Sequence, residues 1–276
     1  MDSLTPEKSL SVRRMRRLTV LVSALCFGLT SFVLAPVYLH FAPDILYADT
    51  WWVNLLYYLT EEGLLDLVAF AVCYPAAIYA VWRAGFKGAL KVPVAFALMT
   101  LGKFVVNYFM TSIVDGALPG ISEFLSFDLP YIGVMYLLEM AQYAAVIFLA
   151  LRIKARHERR LAEAELTGNG GVTAASFTFD RLLSLKNPVQ RAAFFSAILL
   201  FAVRVVMHQI YQYTLYVTSG YTDGVVAMVL ELFADLFVGV IVYFAALLLL
   251  ARFARKDAET AAETAAAAAA DTATAA

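Results

Sequence analysis

The chain has 276 residues, of which 62% are hydrophobic and only 16% charged, with a formal net charge of −1. A soluble domain carries about a quarter charged residues, so that class is excluded, and the bulk charge offers nothing to a nucleic acid. The only two cysteines, Cys26 and Cys73, permit neither a disulfide framework nor a zinc-ligand spacing. Both lie in apolar runs and read as packing residues.

The apolar residues fall into blocks of the length that crosses a bilayer, about 20 residues. Residues 1–17 are polar and end in Arg13, Arg14, Arg16 and Arg17. The first apolar block, residues 18–39, is too long for a signal peptide and has no small-residue cleavage site. It reads as a retained span. Trp51, Trp52, Tyr57 and Tyr58 follow, as expected of an interfacial belt. A second span is expected over residues 62–82, then a short basic turn from Arg83 to Lys91. The third covers 92–113, with Pro93 near its start, where proline is tolerated. An acidic loop leads to the fourth, 129–151.

Arg152, Lys154, Arg156, Arg159 and Arg160 carry the fourth helix into water, and the glycines at 168, 170 and 171 end it. Phe177, Phe179, Leu182, Leu183 and Leu185 mark a short amphipathic stretch, read as a linker folded on the bundle or as a segment on the membrane surface. The fifth and sixth spans are expected at 192–216 and 225–251. The low-complexity alanine and threonine tail, 257–276, reads as disordered. The expected organisation is a cytoplasmic segment (1–17), a six-helix membrane domain (18–256) with a cytoplasmic loop at 152–190, and the tail.

Charge sets the orientation. Every lysine and arginine except Lys103 and Arg204 falls in segments that six spans place on one side. The opposite loops, 41–60, 114–128 and 217–224, contain none. By the positive-inside rule both termini are cytoplasmic in a multi-pass protein of the cell membrane.

The charges inside the spans are the candidate site. Counted from the nearest cytoplasmic cation at 1.5 Å per residue, Lys103, Glu139 and Arg204 lie about 18–20 Å deep and read as one buried charge layer. Asp66, Asp235 and His208 lie at about 26 Å, with Glu62 and Glu231 one turn further out. Glu62 and Asp66 match Glu231 and Asp235 in register, each pair four residues apart on one helical face. Acids outnumber cations here, and an unpaired carboxylate in low dielectric holds a proton or attracts a cation. A weak repeat runs alongside. Lys103 and Asn107 match Arg204 and His208 in spacing, and the three even-numbered spans each carry an acid in their outer part. Three tandem helical hairpins would produce it, and transporters often bind substrate between such repeats.

Glu61 and Glu62 followed by a membrane histidine suggest an intramembrane protease of the CAAX-processing type. That pattern fails. Asp66 stands where its arginine belongs, Arg204 precedes His208 where a phenylalanine belongs, and neither His40 nor His157 supplies the third motif. In architecture alone, six spans with both ends inside resemble the substrate-binding subunits of energy-coupling-factor transporters. No phosphate loop, dinucleotide fingerprint or nucleophile motif is present.

The expected protein is all-α and not an enzyme. It captures or transports a small cationic or zwitterionic solute, or a proton, through an outward-facing acidic cavity lined by Glu62, Asp66, His208, Glu231 and Asp235. No cofactor or resident metal is expected. The partners are the bilayer, the solute and possible energising or oligomeric subunits. The competing readings are an intramembrane enzyme using Asp66, Asp235 and His208 as acid/base or metal groups, and a structural or partner-binding subunit.

Overall fold

The computed structural model describes residues 6–34, 37, 64–114, 122, 124–168, 175–220 and 225–274. Six long helices account for nearly all of them: α1 (Pro6–Leu29), α2 (Leu64–Ala89), α3 (Lys91–Val114), α4 (Leu129–Thr167), α5 (Pro188–Ser219) and α6 (Val225–Thr274). A π-helical turn, Thr30–Leu34, prolongs α1, and another, Phe124–Asp128, leads into α4. No strand occurs among the described residues. Five of the helices are long and apolar enough to cross a membrane, and α3 is apolar over Lys91–Gly102. The chain is an all-helical integral membrane protein.

The helix α1 starts well ahead of its apolar block. Val12 and Met15 are buried while Arg13, Arg14, Arg16 and Arg17 stay exposed. The basic run is thus the polar face of the helix, with two apolar residues turned into the bundle.

The bundle is organised around α2. It packs against all five other helices, while α1 and α3, α3 and α4, α4 and α5, and α5 and α6 pack side by side around it. The packing therefore centres on one helix rather than on three equivalent hairpins. From Cys73 to Val81 every α2 residue is buried, including the large side chains Tyr74, Ile78 and Tyr79. A helix apolar all round belongs inside. Cys73 Sγ lies 3.8 Å from Ser23 Oγ of α1, and both free cysteines are buried, as packing residues should be.

Contacts at two levels give relative directions. Phe70 meets Tyr143 and the ammonium of Lys154 meets the carbonyls of Val81 and Trp82, so α2 and α4 run parallel. Tyr74 reaches Val242 and Tyr79 reaches Phe253, so α2 and α6 are parallel as well. Gln190 touches Tyr243 and Arg204 touches Asp235, so α5 is antiparallel to α6. The even-numbered helices share one direction, as alternating spans require.

The expected basic turn after α2 is tighter than a loop. Gly85 adopts φ 67°, a left-handed conformation open to glycine, and breaks the helix there. That break removes the amides that would satisfy the last carbonyls. Lys154 Nζ bonds the carbonyl oxygens of Val81 and Trp82 instead, each at 3.1 Å. A Cβ at Gly88 would collide with the Ala84 Cβ, which has no torsion to swing it aside. Gly88→Ala is therefore expected to destabilise the bundle by about 1–3 kcal/mol, the usual cost of overpacking. Thermal melts in detergent check it, and an unchanged melting temperature would refute the tight approach.

Segment 175–187 is not helical. Phe177 and Phe179 pack on the core, whereas Leu182, Leu183 and Leu185 are exposed. Buried Gln190 of α5 holds the segment down, its Nε2 donating to the carbonyls of Arg181 (3.1 Å) and Leu182 (2.7 Å). Asn187 caps α5 by accepting from the amides of Val189 and Gln190, with Pro188 opening the helix. The segment is a linker folded against the bundle.

The sequence led us to expect an irregular tail from residue 257, yet α6 continues unbroken to Thr274. Alanine is the strongest helix former, and the start of the tail is anchored. Asp257 accepts a hydrogen bond from the Tyr79 hydroxyl and lies 3.7 Å from Arg83 Nε. Arg83 Nε donates to the same hydroxyl at 3.2 Å, and its guanidinium sits 5.5 Å from the ring centres of both Tyr79 and Phe177. One tyrosine thus joins α2, α6 and the 175–187 segment.

Candidate functional site

The apolar parts of α5 and α6 carry four charged or titratable side chains that meet in pairs. Arg204 of α5 directs Nε and Nη2 to the same oxygen of Asp235, each at 2.7 Å. One turn along, His208 Nε2 lies 2.6 Å from Glu231 Oε2. The step is four residues forward on α5 and four residues back on α6, which antiparallel helices impose on facing positions. The result is a two-rung ladder along one interhelical seam.

The rungs differ in exposure. The side chains of Arg204 and Asp235 are 28% and 16% exposed, while those of His208 and Glu231 are 23% and 43% exposed. The Arg204 rung is therefore the deeper and better shielded. The guanidinium of Arg204 stays charged in a protein, so that rung always presents a cation to Asp235. The outer rung sets an imidazole, not a guanidinium, against its carboxylate. Gln212, one turn beyond His208 on α5, is buried.

This pairing corrects the layers read from depth alone. Arg204 was expected with Lys103 and Glu139, and His208 beside Asp235. The structure instead joins Arg204 to Asp235 and His208 to Glu231. Counting depth along the chain locates backbones, but a guanidinium reaches about one helical turn from its own Cα, enough to bridge a four-residue offset. Glu139 lies on α4, half-buried, one turn before Tyr143. Glu62 and the side chains of Asp66 and Lys103 lie outside the described residues. The backbone of Asp66 is within α2. Carrying the Tyr74–Val242 and Tyr79–Phe253 contacts outward along these parallel helices sets it level with residues 234–240, a stretch that begins beside Asp235.

Among the described residues, no three or more His, Cys, Asp or Glu side chains cluster as a metal site would need. What the ladder offers chemically is exchange of ion-pair partners. The sequence singled out all four ladder residues through their place in apolar runs, but it set Arg204 in a separate layer from His208, Glu231 and Asp235. It missed the cluster of Tyr79, Arg83 and Asp257, because the tail was read as irregular. No known protein-family model matches the chain, and no curated protein or solved structure matches it.

Proposed function

We propose that the protein is a non-enzymatic carrier or capture protein for a small cation or amine-bearing solute, with binding linked to a proton. The observation that carries this reading is the outer rung, an acid paired with a histidine inside an apolar helix pair. Ionisable groups in such positions are rare and usually functional. Glu231 is the exchangeable acid. Protonated His208 occupies it, and loss of that proton opens the carboxylate to a cation from outside. The Arg204–Asp235 rung is the fixed floor, and Asp66 of α2 is a further candidate acid. Six spans with both termini cytoplasmic place this seam in the outer half of the cell membrane, with its more exposed rung outermost.

The functional test uses proteoliposomes containing a pH-sensitive dye, challenged from outside with sodium or methylammonium ions. Cation addition should move protons in the parent and not in Glu231→Gln. His208→Gln should still bind cation but lose its pH dependence. Absence of proton movement with either ion would sink the exchange reading. The structural reading has its own support, since each described acid of the seam stands against a cation. In that case both variants lower the melting temperature and change nothing else.

The topology is tested independently. Cys26 and Cys73 are buried and give little background labelling. A cysteine placed at Gly220 should react with an impermeant reagent on intact cells, and cysteines at Gly168 and Ala258 should not. Reversed accessibility at any two of these would overturn the six-span arrangement.

A further inference from the structure

At the opposite end of the bundle, four arginines converge, and no described carboxylate neutralises them. Arg152, Arg156 and Arg160 recur every fourth residue on α4 and so share one face. Arg191, in the first turn of α5, stands beside that face. Together with Leu149 and Phe195 they line a cavity of about 360 Å³. None of the four makes an ion pair with a described carboxylate. The nearest acid along α4, Glu158, faces Lys154 at 3.8 Å. The Nε–H of Arg191 is buried and has no acceptor among the described residues, and the buried Nε2 of His157, three residues before Arg160, has no hydrogen-bond partner there. The charges of Arg156 and Arg160 act directly on Arg191.

Buried donors without acceptors, and like charges held together, are both costly. A basic cleft between two membrane helices at the cytoplasmic edge relieves both costs by taking an anion. The site also has an apolar side. Leu149 and Phe195 form its wall where the apolar segments begin, and exposed Phe148 and Ile198 extend this greasy surface along α4 and α5. A free anion has no use for that wall, whereas a phospholipid lays its acyl chains there. We infer that the cleft between α4 and α5 binds the phosphate of an anionic phospholipid from the cytoplasmic leaflet. Arg191 and the Arg152, Arg156 and Arg160 face hold the phosphate, and Leu149 and Phe195 receive the upper acyl chain.

The test melts the purified full chain in neutral detergent with added phosphatidylglycerol, phosphatidylcholine or inorganic phosphate. Phosphatidylglycerol should raise the melting temperature by several degrees, and phosphatidylcholine at the same concentration should not. The rise should vanish in Arg191→Gln and in the triple variant Arg152→Gln, Arg156→Gln, Arg160→Gln. It should persist in Arg191→Lys, at an apparent affinity weakened about tenfold by loss of the forked donor. Arg13→Gln with Arg14→Gln, remote from the cleft, should keep the full rise. Without lipid the Gln variants should melt no lower than the parent, because removing a like charge relieves repulsion. A lipid rise that survives both Gln variants overturns the site. So does a parent that does not respond to phosphatidylglycerol. A full rise with inorganic phosphate, to which lipid adds nothing, overturns the lipid as occupant and leaves a site for free phosphate.

Discussion

Arg204→Gln is expected to lose about 3 kcal/mol of stability, more than any other single change on the α5–α6 seam. The guanidinium is 28% exposed and its partner Asp235 only 16%. Removing one member of a shielded ion pair leaves the other charge without compensation, which costs about 3–5 kcal/mol when burial is complete. Partial exposure sets the value at the lower end. Asp235→Asn should cost somewhat less, since the longer arginine can swing toward water. The double variant should recover most of the loss, because an uncharged pair suffers no such penalty. A thermal-melt double-mutant cycle measures this coupling. The outer rung behaves differently. Glu231 is 43% exposed, so Glu231→Gln should cost about 1 kcal/mol or less. Additive losses at Arg204 and Asp235 would show that the 2.7 Å contact contributes nothing to the fold.

Tyr79→Ala should be the most damaging change at the opposite end of the bundle from that seam, at about 3–5 kcal/mol, the range for truncating a large buried aromatic. Its ring packs at 5.1 Å from Phe177 and 5.7 Å from Phe253, and its hydroxyl bonds Asp257. Tyr79→Phe keeps the ring and loses only the hydroxyl. Arg83 stays close enough to hold Asp257, so the loss should be about 1 kcal/mol. Proteolysis gives a second readout. Tyr79→Ala should release α6 beyond residue 257 to cleavage, while Tyr79→Phe should protect it nearly as the parent does. Equal cleavage of parent and Tyr79→Ala would mean that the tail helix holds without its anchor.

How far the sequence carried depends on the kind of signal. Length and apolarity located all six described helices. Separation of cations from apolar blocks implied alternating directions, and the parallel packing of α2, α4 and α6 agrees with it. Asn187, Pro188 and Gly220 mark the ends of α5 in the residues themselves. Tertiary choices were less legible. Nothing local distinguishes α2 as the helix that all the others touch, because a buried helix and a lipid-facing helix are both apolar. The pairing of Arg204 with Asp235 depended on side-chain reach, which chain counting ignores. The tail set low complexity against alanine's helix propensity, and only the contact of Asp257 with Tyr79 tips that balance. The arginine face of α4 was visible as a spacing, but its convergence on Arg191 needed the fold.

The central position of α2 has a consequence for biogenesis. Synthesis runs toward the C-terminus, so α2 is made ahead of α3, α4, α5 and α6, four of its five described neighbours. It is also the least apolar of the five candidate spans. Until the sixth helix follows, the hydroxyls of Tyr74 and Tyr79 lack the carbonyls of Val242 and Phe253 that they reach in the finished bundle. Assembly therefore passes through a stage at which the future centre of the protein is its most exposed and most weakly inserted part. Of the contacts that α2 makes in the finished bundle, those with α1, Ser23 beside Cys73 among them, are the ones open to it at that stage.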